Sequence, residues 1–329
     1  MYKNPSKNTN LYAIKQITTA SIVIPVYNEE DNIRELISNL YKVLPGLGLT
    51  QWEIIIVDDS SSDTTLEILM ELQPIYQGLK LISLRRNFGQ TDALAAGIDN
   101  ARFEVIITLD GDLQNDPADI PLFLEKINQG YDVVSGWRKQ RKDHFFTRKL
   151  PSHMANLLIS KVTGVRLKDY GCTLKAYRSE AIKGIHLFGD MHRFIPALIS
   201  RKGVKIAEVE VRHHARKHGK TKYGLSRIVR VVLDLLTVKF MIGFISRPMQ
   251  MFGPFGLFLV GGGFFYGLFL TAQRFFFQTD IKPLRPLVSV LMIVTGIQLI
   301  TMGLLGEMIM RTYFESQNKK IYEIKEVIG

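Results

Sequence analysis

The stretch Val105–Pro117, which reads V-I-I-T-L-D-G-D-L-Q-N-D-P, combines a strand with an acidic turn. Val105–Leu109 is apolar and β-branched, as expected of a strand that is covered on both faces. Asp110, Asp112 and Gln114 follow at positions i, i+2 and i+4, and alternate side chains of an extended chain point to the same side. Their oxygens suit Mg²⁺ or Mn²⁺, which take further ligands from water and substrate phosphates. A polar turn that holds no ligand fits the same residues, so the motif alone leaves both interpretations open.

Outward from this stretch, the first half of the chain alternates strand-like and helix-like segments. Further strands are predicted at Ser21–Pro25, Glu53–Val57, Lys80–Leu84 and Asp132–Ser135, and helices at Glu29–Val43, Thr64–Leu72, Thr91–Asn100 and Ala118–Asn128. The alternation predicts an α/β fold, Rossmann-like, with a mainly parallel sheet and helices on both faces. Ligands of such sheets bind outside the carboxyl ends of the strands, which is where Pro25, Asp58, Arg85 and Asp110 lie.

The second half begins with a mixed α/β continuation over residues 145–224. A helix is predicted at Arg148–Thr163, and strands are predicted at Gly171–Tyr177 and Lys205–Val211. Leu225–Ile245 follows with an amphipathic pattern, which fits either a helix at a membrane surface or an ordinary helix that faces a core.

Two long charge-free stretches, Pro248–Gln273 and Pro286–Gly306, stand near the C-terminus. Crossing a membrane takes about 20 apolar residues, so the pair predicts a transmembrane hairpin; two buried helices of a soluble protein are the alternative. Lys and Arg are more numerous beyond the outer ends of the hairpin than in its loop. The positive-inside rule then places the large domain and both termini in the cytoplasm.

The predicted organisation has five parts. They are a polar N-terminal segment 1–19, an α/β domain 20–224, an amphipathic juxtamembrane region 225–247, a hairpin 248–314 and a cytoplasmic tail 315–329. The formal net charge of +11 over 329 residues indicates an anionic partner, which is phosphate, nucleic acid or an acidic membrane face. A single cysteine, Cys172, excludes an internal disulfide framework, and no Cys/His spacing indicates zinc.

Two more segments repeat the pattern of a strand followed by acids. Ile22–Asn32 reads I-V-I-P-V-Y-N-E-E-D-N, and Ile54–Thr64 reads I-I-I-V-D-D-S-S-S-D-T. Helix capping explains each of them alone. The ordered set I-V-I-P-V-Y-N-E-E, V-D-D-S-S-S-D-T-T, R-R-N-F-G-Q and D-G-D-L-Q-N-D-P, however, resembles the inverting family 2 glycosyltransferases of the GT-A fold. The resemblance spans roughly residues 20–245. It is strongest to the polyisoprenyl-phosphate branch, which includes dolichol-phosphate mannose synthase and the bacterial GtrB-type enzymes.

This resemblance implies roles for individual residues. Pro25, Tyr27, Glu29, Asp58 and Asp110 would line the nucleotide-sugar pocket. Asp110, Asp112 and Gln114 would hold Mg²⁺ or Mn²⁺ on the diphosphate, with Asp112 and Gln114 as direct ligands and Asp110 acting directly or through water.

The acceptor side is expected to be basic. Arg138, Arg148, Arg216 and Lys222 would bind the acceptor phosphate, the last two within an R-x-x-G-x-T-K pattern. A solvated basic face that attracts anionic lipid is the alternative. Asp169 occupies the position of an active-site acid and stands with Asp110 as a catalytic candidate. A polyprenyl phosphate is already anionic near neutral pH, so Asp169 is either a base or an orienting group.

The resemblance implies inverting transfer of a hexose, with UDP-glucose as the first choice of donor. The acceptor would be a polyisoprenyl phosphate such as undecaprenyl phosphate, at the cytoplasmic face of the inner membrane. GDP-mannose and an aminopentose donor are alternatives. A polysaccharide synthase fits less well, because Trp52 and Trp137 stand in no Q-x-x-R-W motif. A transferase acting on protein or on a diphosphate-linked glycan, and a non-catalytic membrane scaffold, are the other candidates. No nucleic-acid partner is expected, and the glycine-rich spans allow a homo-oligomer.

Overall fold

The computed structural model describes residues 16–139, 159–161, 163–185, 187, 189, 191–200, 202–215, 249–278, 282–316 and 324–328. The chain divides into two compact units. An α/β unit holds the described residues up to 215 and those after 323, and a helical unit holds those between 249 and 316. Arg148, Arg216, Lys222 and the amphipathic segment Leu225–Ile245 lie outside the described residues, as does nearly all of the helix predicted at Arg148–Thr163.

The α/β unit is built on one sheet of eight strands. The strands are β1 (Thr19–Val26), β2 (Gln51–Asp58), β3 (Leu79–Leu84), β4 (Val105–Thr108), β5 (Val133–Trp137), β6 (Lys175–Arg178), β7 (Ile206–Glu210) and β8 (Ile324–Ile328). Their order across the sheet is β7-β5-β6-β4-β1-β2-β3-β8. Strands β4, β1, β2 and β3 run parallel, whereas β6 is antiparallel to both neighbours and β8 is antiparallel to β3. The prediction of a mainly parallel sheet is confirmed.

Helices cover both faces of the sheet. They are α1 (Ile33–Val43), α2 (Thr65–Leu72), α3 (Gln90–Asn100), α4 (Ile120–Asn128), α5 (Ser179–Ile182) and α6 (Ile195–Ser200), with short 3₁₀ turns at Leu44–Leu47, Pro117–Asp119 and Met191–Phe194. Ile22 and Ile24 of β1 share a buried cluster with α1. Val23 points the other way, where a Cβ on Gly97 of α3 would lie 2.2 Å from its Cγ1. The central strands are therefore buried on both faces.

Two predicted boundaries and the assignment of one segment need correction. Helix α1 begins at Ile33 rather than Glu29, because Glu29–Asn32 form a turn in which the amides of Asn32 and Ile33 both donate to the carbonyl of Glu29. The strand predicted from Gly171 begins only at Lys175, since the chain first turns at Tyr170 and Gly171. Strand β8 lies in the segment predicted as a tail, and it pairs with β3 at the edge of the sheet.

The helical unit is a pair of long helices, α7 (Met249–Phe277) and α8 (Leu284–Ser316). Both are long and apolar enough to cross a membrane, as predicted for Pro248–Gln273 and Pro286–Gly306. Glycines bring them close together: a Cβ on Gly263 would lie 2.8 Å from the carbonyl of Ser289, whose hydroxyl donates to the Gly263 carbonyl at 2.6 Å. Large side chains such as Phe258 and Phe265 point outward and are exposed. Small residues inside and large apolar residues outside are typical of packed membrane helices.

Candidate active site

Three loops meet at the carboxyl ends of β4, β1 and β2, which are neighbours in the sheet. Each loop carries one non-glycine residue with positive φ: Asn28 at 56°, Ser60 at 60° and Leu113 at 58°. Such conformations are uncommon for non-glycine residues and cluster at functional sites. The edge of the sheet that is predicted to bind a ligand therefore also carries these three uncommon backbone conformations.

Hydroxyl groups of the S-S-S-D-T-T segment fasten the loop after β1 to the loop after β2. The Asn28 amide donates to Ser61 Oγ and the Glu29 amide donates to Thr65 Oγ1, both at 2.9 Å. In return, Glu30 accepts hydrogen bonds from the Thr64 amide and hydroxyl at 3.0 and 2.6 Å. The two motifs, each weak evidence alone, thus form one hydrogen-bonded unit. Pro25, Tyr27 and Glu29 belong to its first segment, and Asp58, which pairs with Val26, belongs to its second.

The paired acids at the end of β2 have different partners. Asp58 is fully buried and accepts from the Ser61 amide at 3.3 Å, and burial raises the pKa of its carboxyl. Asp59 accepts from the amides of Phe88 and Gly89, both at 2.8 Å. It therefore holds the R-R-N-F-G-Q segment at the start of α3. Sequence reasoning did not assign Asp59; its place beside Asp58 was the signal for it.

The acidic turn after β4 packs directly against the loop after β1. A Cβ on Gly111 would lie 2.9 Å from Val26 Cγ1 and 3.4 Å from Glu29 Cγ, so any side chain there would force one of the two loops to shift. Asp110 accepts a hydrogen bond from Gln90 Nε2 at 2.7 Å, and Asp112 accepts one from the backbone amide of Gln114 at 3.2 Å. The structure thus brings the predicted pocket residues of three loops to one edge.

The acidic turn offers two carboxylates and a side-chain amide, which are oxygen donors of the kind that hard divalent cations prefer. Burial, and then the charge of Asp112, raise the pKa of Asp110 to about 6, and a bound cation would relieve this repulsion. Within the described part of the chain, no three His, Cys, Asp or Glu side chains form a metal cluster. Two carboxylates and the side-chain amide of Gln114 are fewer ligands than Mg²⁺ or Mn²⁺ takes, and sites for these ions usually add phosphate and water ligands.

Asp169 lies in a buried ion pair with Arg138. The guanidinium donates from Nε to Oδ2 at 2.7 Å and from Nη2 to Oδ1 at 3.0 Å, and Oδ1 also accepts from the Gly171 amide at 3.0 Å. Burial would lower the pKa of Arg138, but the hydrogen bond and charge of Asp169 outweigh it and raise that pKa. Since both carboxylate oxygens are engaged, this geometry suits an orienting role for Asp169 better than that of a free base.

The segment after β7 is fastened to the acidic turn. Arg212 donates to Asp119 from its backbone amide at 2.7 Å and from Nε at 2.8 Å, and it pairs with Asp116 at 3.2 Å. The His214 amide donates to the carbonyl of Gln114 at 3.0 Å. The chain that leads on to Arg216 therefore departs from beside the predicted metal ligands.

A narrow cleft next to Asp110 contains residues that sequence reasoning missed. Lys175 is 3% exposed, donates to the carbonyls of Cys172 and Tyr170 at 2.5 and 3.3 Å, and has its pKa lowered to about 8 by burial. His192 is also buried and its Nδ1 lies 2.7 Å from Thr91 Oγ1. In the sequence, the only indication of this cleft was a lysine, Lys175, at the start of strand β6.

Comparisons with known proteins agree with this architecture. Residues 21–185 match the family Glycosyl transferase family 2, and residues 247–312 match the GtrB C-terminal hairpin. The chain is 44% identical to dodecaprenyl-phosphate galacturonate synthase of Rhizobium johnstonii, over 93% of this chain and 92% of that protein. It is 38% identical to undecaprenyl-phosphate 4-deoxy-4-formamido-L-arabinose transferase of Edwardsiella ictaluri, over 95% of each.

Among solved structures, the fold is similar to that of glucosyl-3-phosphoglycerate synthase from Mycobacterium tuberculosis in complex with Mn²⁺, UDP and glucosyl-3-phosphoglycerate. The TM-score is 0.51 at 16% identity, over 73% of this chain and 85% of that chain. This likeness concerns the fold alone. The family models match, and the relatives are similar over nearly the whole chain. This chain therefore belongs to family 2 of the glycosyltransferases, with a GT-A fold and a C-terminal hairpin of the GtrB type.

Proposed function

We propose that this enzyme transfers a sugar, with inversion, from a nucleotide diphosphate sugar to a polyprenyl phosphate at the cytoplasmic face of the inner membrane. The main support is the contact between the acidic turn and the segment that follows β7. The acidic turn, which would hold the diphosphate, is hydrogen-bonded to the segment that leads into Arg216 and Lys222. Donor and acceptor phosphates would then be held side by side. The two relatives named above, whose names specify polyprenyl-phosphate acceptors, support the same acceptor class.

In this proposal each part of the site has one task. Pro25, Tyr27, Glu29 and Asp58 line the pocket for the nucleoside part of the donor. Asp110, Asp112 and Gln114 would hold Mg²⁺ or Mn²⁺, which when bound would stabilise negative charge on the departing diphosphate. Asp169 fixes the fork of Arg138, which, with Arg148, Arg216 and Lys222, holds the acceptor phosphate against the repulsion of the diphosphate.

The transfer itself needs no added proton acceptor. An oxygen of the lipid phosphate, already ionised near neutral pH, attacks the anomeric carbon from the face opposite the diphosphate. The bond between this carbon and the diphosphate oxygen breaks, and its electrons leave with the nucleoside diphosphate. An α-linked donor thereby gives a β-linked sugar phospholipid.

The topology of the sheet supports a cytoplasmic orientation for the whole α/β unit. Strand β7 precedes the hairpin and β8 follows it, yet both belong to the same sheet. If the hairpin crosses the membrane twice, both of its ends lie on one side of the membrane. The excess of Lys and Arg beyond these ends supports the cytoplasm as that side.

The test is transfer by the full-length protein in detergent or membranes. Labelled UDP-glucose, GDP-mannose, a UDP-aminopentose and UDP-galacturonate are each supplied with undecaprenyl phosphate and Mg²⁺ or Mn²⁺, and label in the lipid phase is counted. We expect lipid-linked label from one donor, dependent on the divalent ion and absent from Asp112→Ala. Product that stays in the aqueous phase or in a polymer for every donor would overturn the lipid acceptor. UDP-glucose is the first choice of donor from the family resemblance, and UDP-galacturonate is included because the name of the Rhizobium relative specifies galacturonate.

A further inference from the structure

The segment Arg85–Gln90, which reads R-R-N-F-G-Q, joins β3 to α3. The buried carboxylate of Asp59 accepts hydrogen bonds from the backbone amides of Phe88 and Gly89, both at 2.8 Å. Gly89 has a φ of 102° and a ψ of 160°, a backbone conformation that is essentially restricted to glycine. The segment therefore makes a sharp and anchored turn immediately before Gln90, which is the first residue of α3.

A second contact fixes the chain on the other side of Gln90. The hydroxyl of Thr91 lies 2.7 Å from Nδ1 of His192, and both of these side chains are buried. A hydrogen bond in the protein interior is electrostatically stronger than one in water. Gln90 is therefore held between two anchored neighbours, Gly89 through its backbone amide and Thr91 through its side chain, although the side chain of Gln90 itself is exposed.

From this fixed position, Gln90 contacts the acidic turn. Its Nε2 donates to Oδ1 of Asp110 at 2.7 Å, and the two residues are 20 positions apart in the chain. This distance is at the short end of the range for such hydrogen bonds. A carboxylate that accepts from a fixed donor through one oxygen loses freedom to rotate. Groups that hydrogen-bond to a metal-ligating side chain orient that ligand, and their loss weakens metal binding.

We propose that Gln90 is a positioning residue of the divalent-ion site, where it orients the carboxylate of Asp110 and so tightens binding of the ion. This rests on the proposed function, which assigns Asp110 to the ion. The same contacts join the ion site to the end of β2. Asp59 holds Gly89, and Gly89 precedes Gln90, so the residue beside Asp58 of the nucleoside pocket also sets the position of a metal ligand.

The experiment measures Mn²⁺ binding to the full-length protein in detergent, with UDP present and without lipid acceptor. The electron paramagnetic resonance signal of free Mn²⁺ follows the titration. Gln90→Met keeps the length of the side chain and removes its hydrogen-bond donor. We expect this variant to weaken Mn²⁺ binding by about tenfold or more. Binding of UDP in the absence of the ion, measured by calorimetry, should remain that of the wild type.

Two further variants test the route of the effect. Gln129→Met is the matched control, because Nε2 of Gln129 also donates to a carboxylate oxygen, that of Glu125 at 2.9 Å, in an exposed contact outside the site. Its Mn²⁺ binding should be that of the wild type. Asp59→Asn leaves one acceptor oxygen where there were two, so the turn before α3 loses one anchoring hydrogen bond. We expect a smaller loss of Mn²⁺ affinity, which largely disappears when Gln90→Met is already present.

The outcomes separate this inference from the proposed function. Unchanged Mn²⁺ binding by Gln90→Met, while Asp112→Ala abolishes it, overturns the role of Gln90 and leaves the metal site standing. Equal loss of Mn²⁺ binding and of metal-free UDP binding, with wild-type thermal unfolding, assigns Gln90 to the nucleotide and also overturns it. A loss in Asp59→Asn that persists in full beside Gln90→Met overturns the route through Gly89. Mn²⁺ binding that depends on Gln90, in an enzyme that labels no lipid, sustains this inference and refutes the proposed acceptor.

Discussion

Arg138 and Asp169 form a two-pronged ion pair, with Nε to Oδ2 at 2.7 Å and Nη2 to Oδ1 at 3.0 Å. The side chains are 11% and 6% exposed, so each charge depends on the other for its solvation. A Cβ on Gly171 would lie 3.1 Å from Arg138 Nη2, so a side chain at that position would press on the ion pair. The pair joins the end of β5 to the turn before β6, two elements that both border the proposed reaction centre.

Removing either partner of this pair should lower the free energy of unfolding by more than half of the loss that follows removal of both. Asp169→Ala and Arg138→Ala each leave a buried charge without its counterion, and we expect each to lower the free energy of unfolding by about 3 kcal/mol. The double variant should be less destabilised than the sum of the two. Thermal unfolding of the detergent-solubilised protein measures this. Strict additivity would contradict the coupling.

Transfer should depend more strongly on Asp112 than on Gln114 as a metal ligand. Asp112→Ala removes a charged ligand, and we expect transfer to fall by about a hundredfold or more, with normal folding and membrane insertion. Gln114→Ala removes a neutral ligand, so it should mainly raise the Mn²⁺ concentration needed for half-maximal rate. Asp31→Asn, an exposed acid before α1, controls for loss of negative charge. Full activity of Asp112→Ala would refute the metal assignment.

Even the smallest side chain at position 111, that of alanine, should disturb the donor site. The added Cβ would displace Val26 and Glu29 by its contacts at 2.9 and 3.4 Å, which shifts the acidic turn away from the loop after β1. We expect Gly111→Ala to raise the KM for the nucleotide sugar by about tenfold. Gly46→Ala is the control, because nothing lies within 4 Å of a Cβ there. Similar kinetics of the two variants would show that the turn has room to move.

Much of this arrangement follows from local sequence pattern. Apolar runs ending in acids placed Asp58 and Asp110 at the correct edge, because parallel strands buried on both faces are read directly from composition. Helix α1 was predicted too early, because the acids Glu29–Asp31 suit a first helical turn. In the structure they serve the loop instead, where Glu30 accepts hydrogen bonds from Thr64.

Contacts between residues far apart in the chain were beyond such reasoning. Asp169 and Arg138 are 31 residues apart, and Thr91 and His192 are 101 apart; nothing in either local pattern indicates the pairing. Strand β8 was missed because a short segment after a hairpin has no partner within its own neighbourhood, and its partner β3 lies far earlier in the chain. The roles of Arg148, Arg216 and Lys222 stay predictions.

Lys175 should make the stability of the α/β unit depend on alkaline pH. Burial lowers its pKa from 10.5 to about 8, so between these values the unfolded chain binds more protons than the folded one. Stability due to this group therefore rises with pH across that window. Relative to Lys175→Met, the wild type should gain about 2–3 kcal/mol between pH 7 and about pH 10. Chemical unfolding at several pH values measures the difference, and a difference that falls with pH would contradict the burial of a charged lysine.

Arg212 should affect the lipid acceptor although it lies outside the predicted acceptor cluster. It donates to the buried Asp119 through both its backbone amide and its side chain, and thereby holds the start of the segment leading to Arg216 against the acidic turn. In Arg212→Ala that segment loses its side-chain anchor. We expect the KM for undecaprenyl phosphate to rise by about tenfold, with the KM for the nucleotide sugar within about twofold of the wild type. Asp119→Asn, which keeps an acceptor for the Arg212 amide, should have a smaller effect of the same kind. Steady-state kinetics with either substrate varied measure this, and an equal rise in both KM values would mean that Arg212 supports the fold of the turn and not the placing of the acceptor.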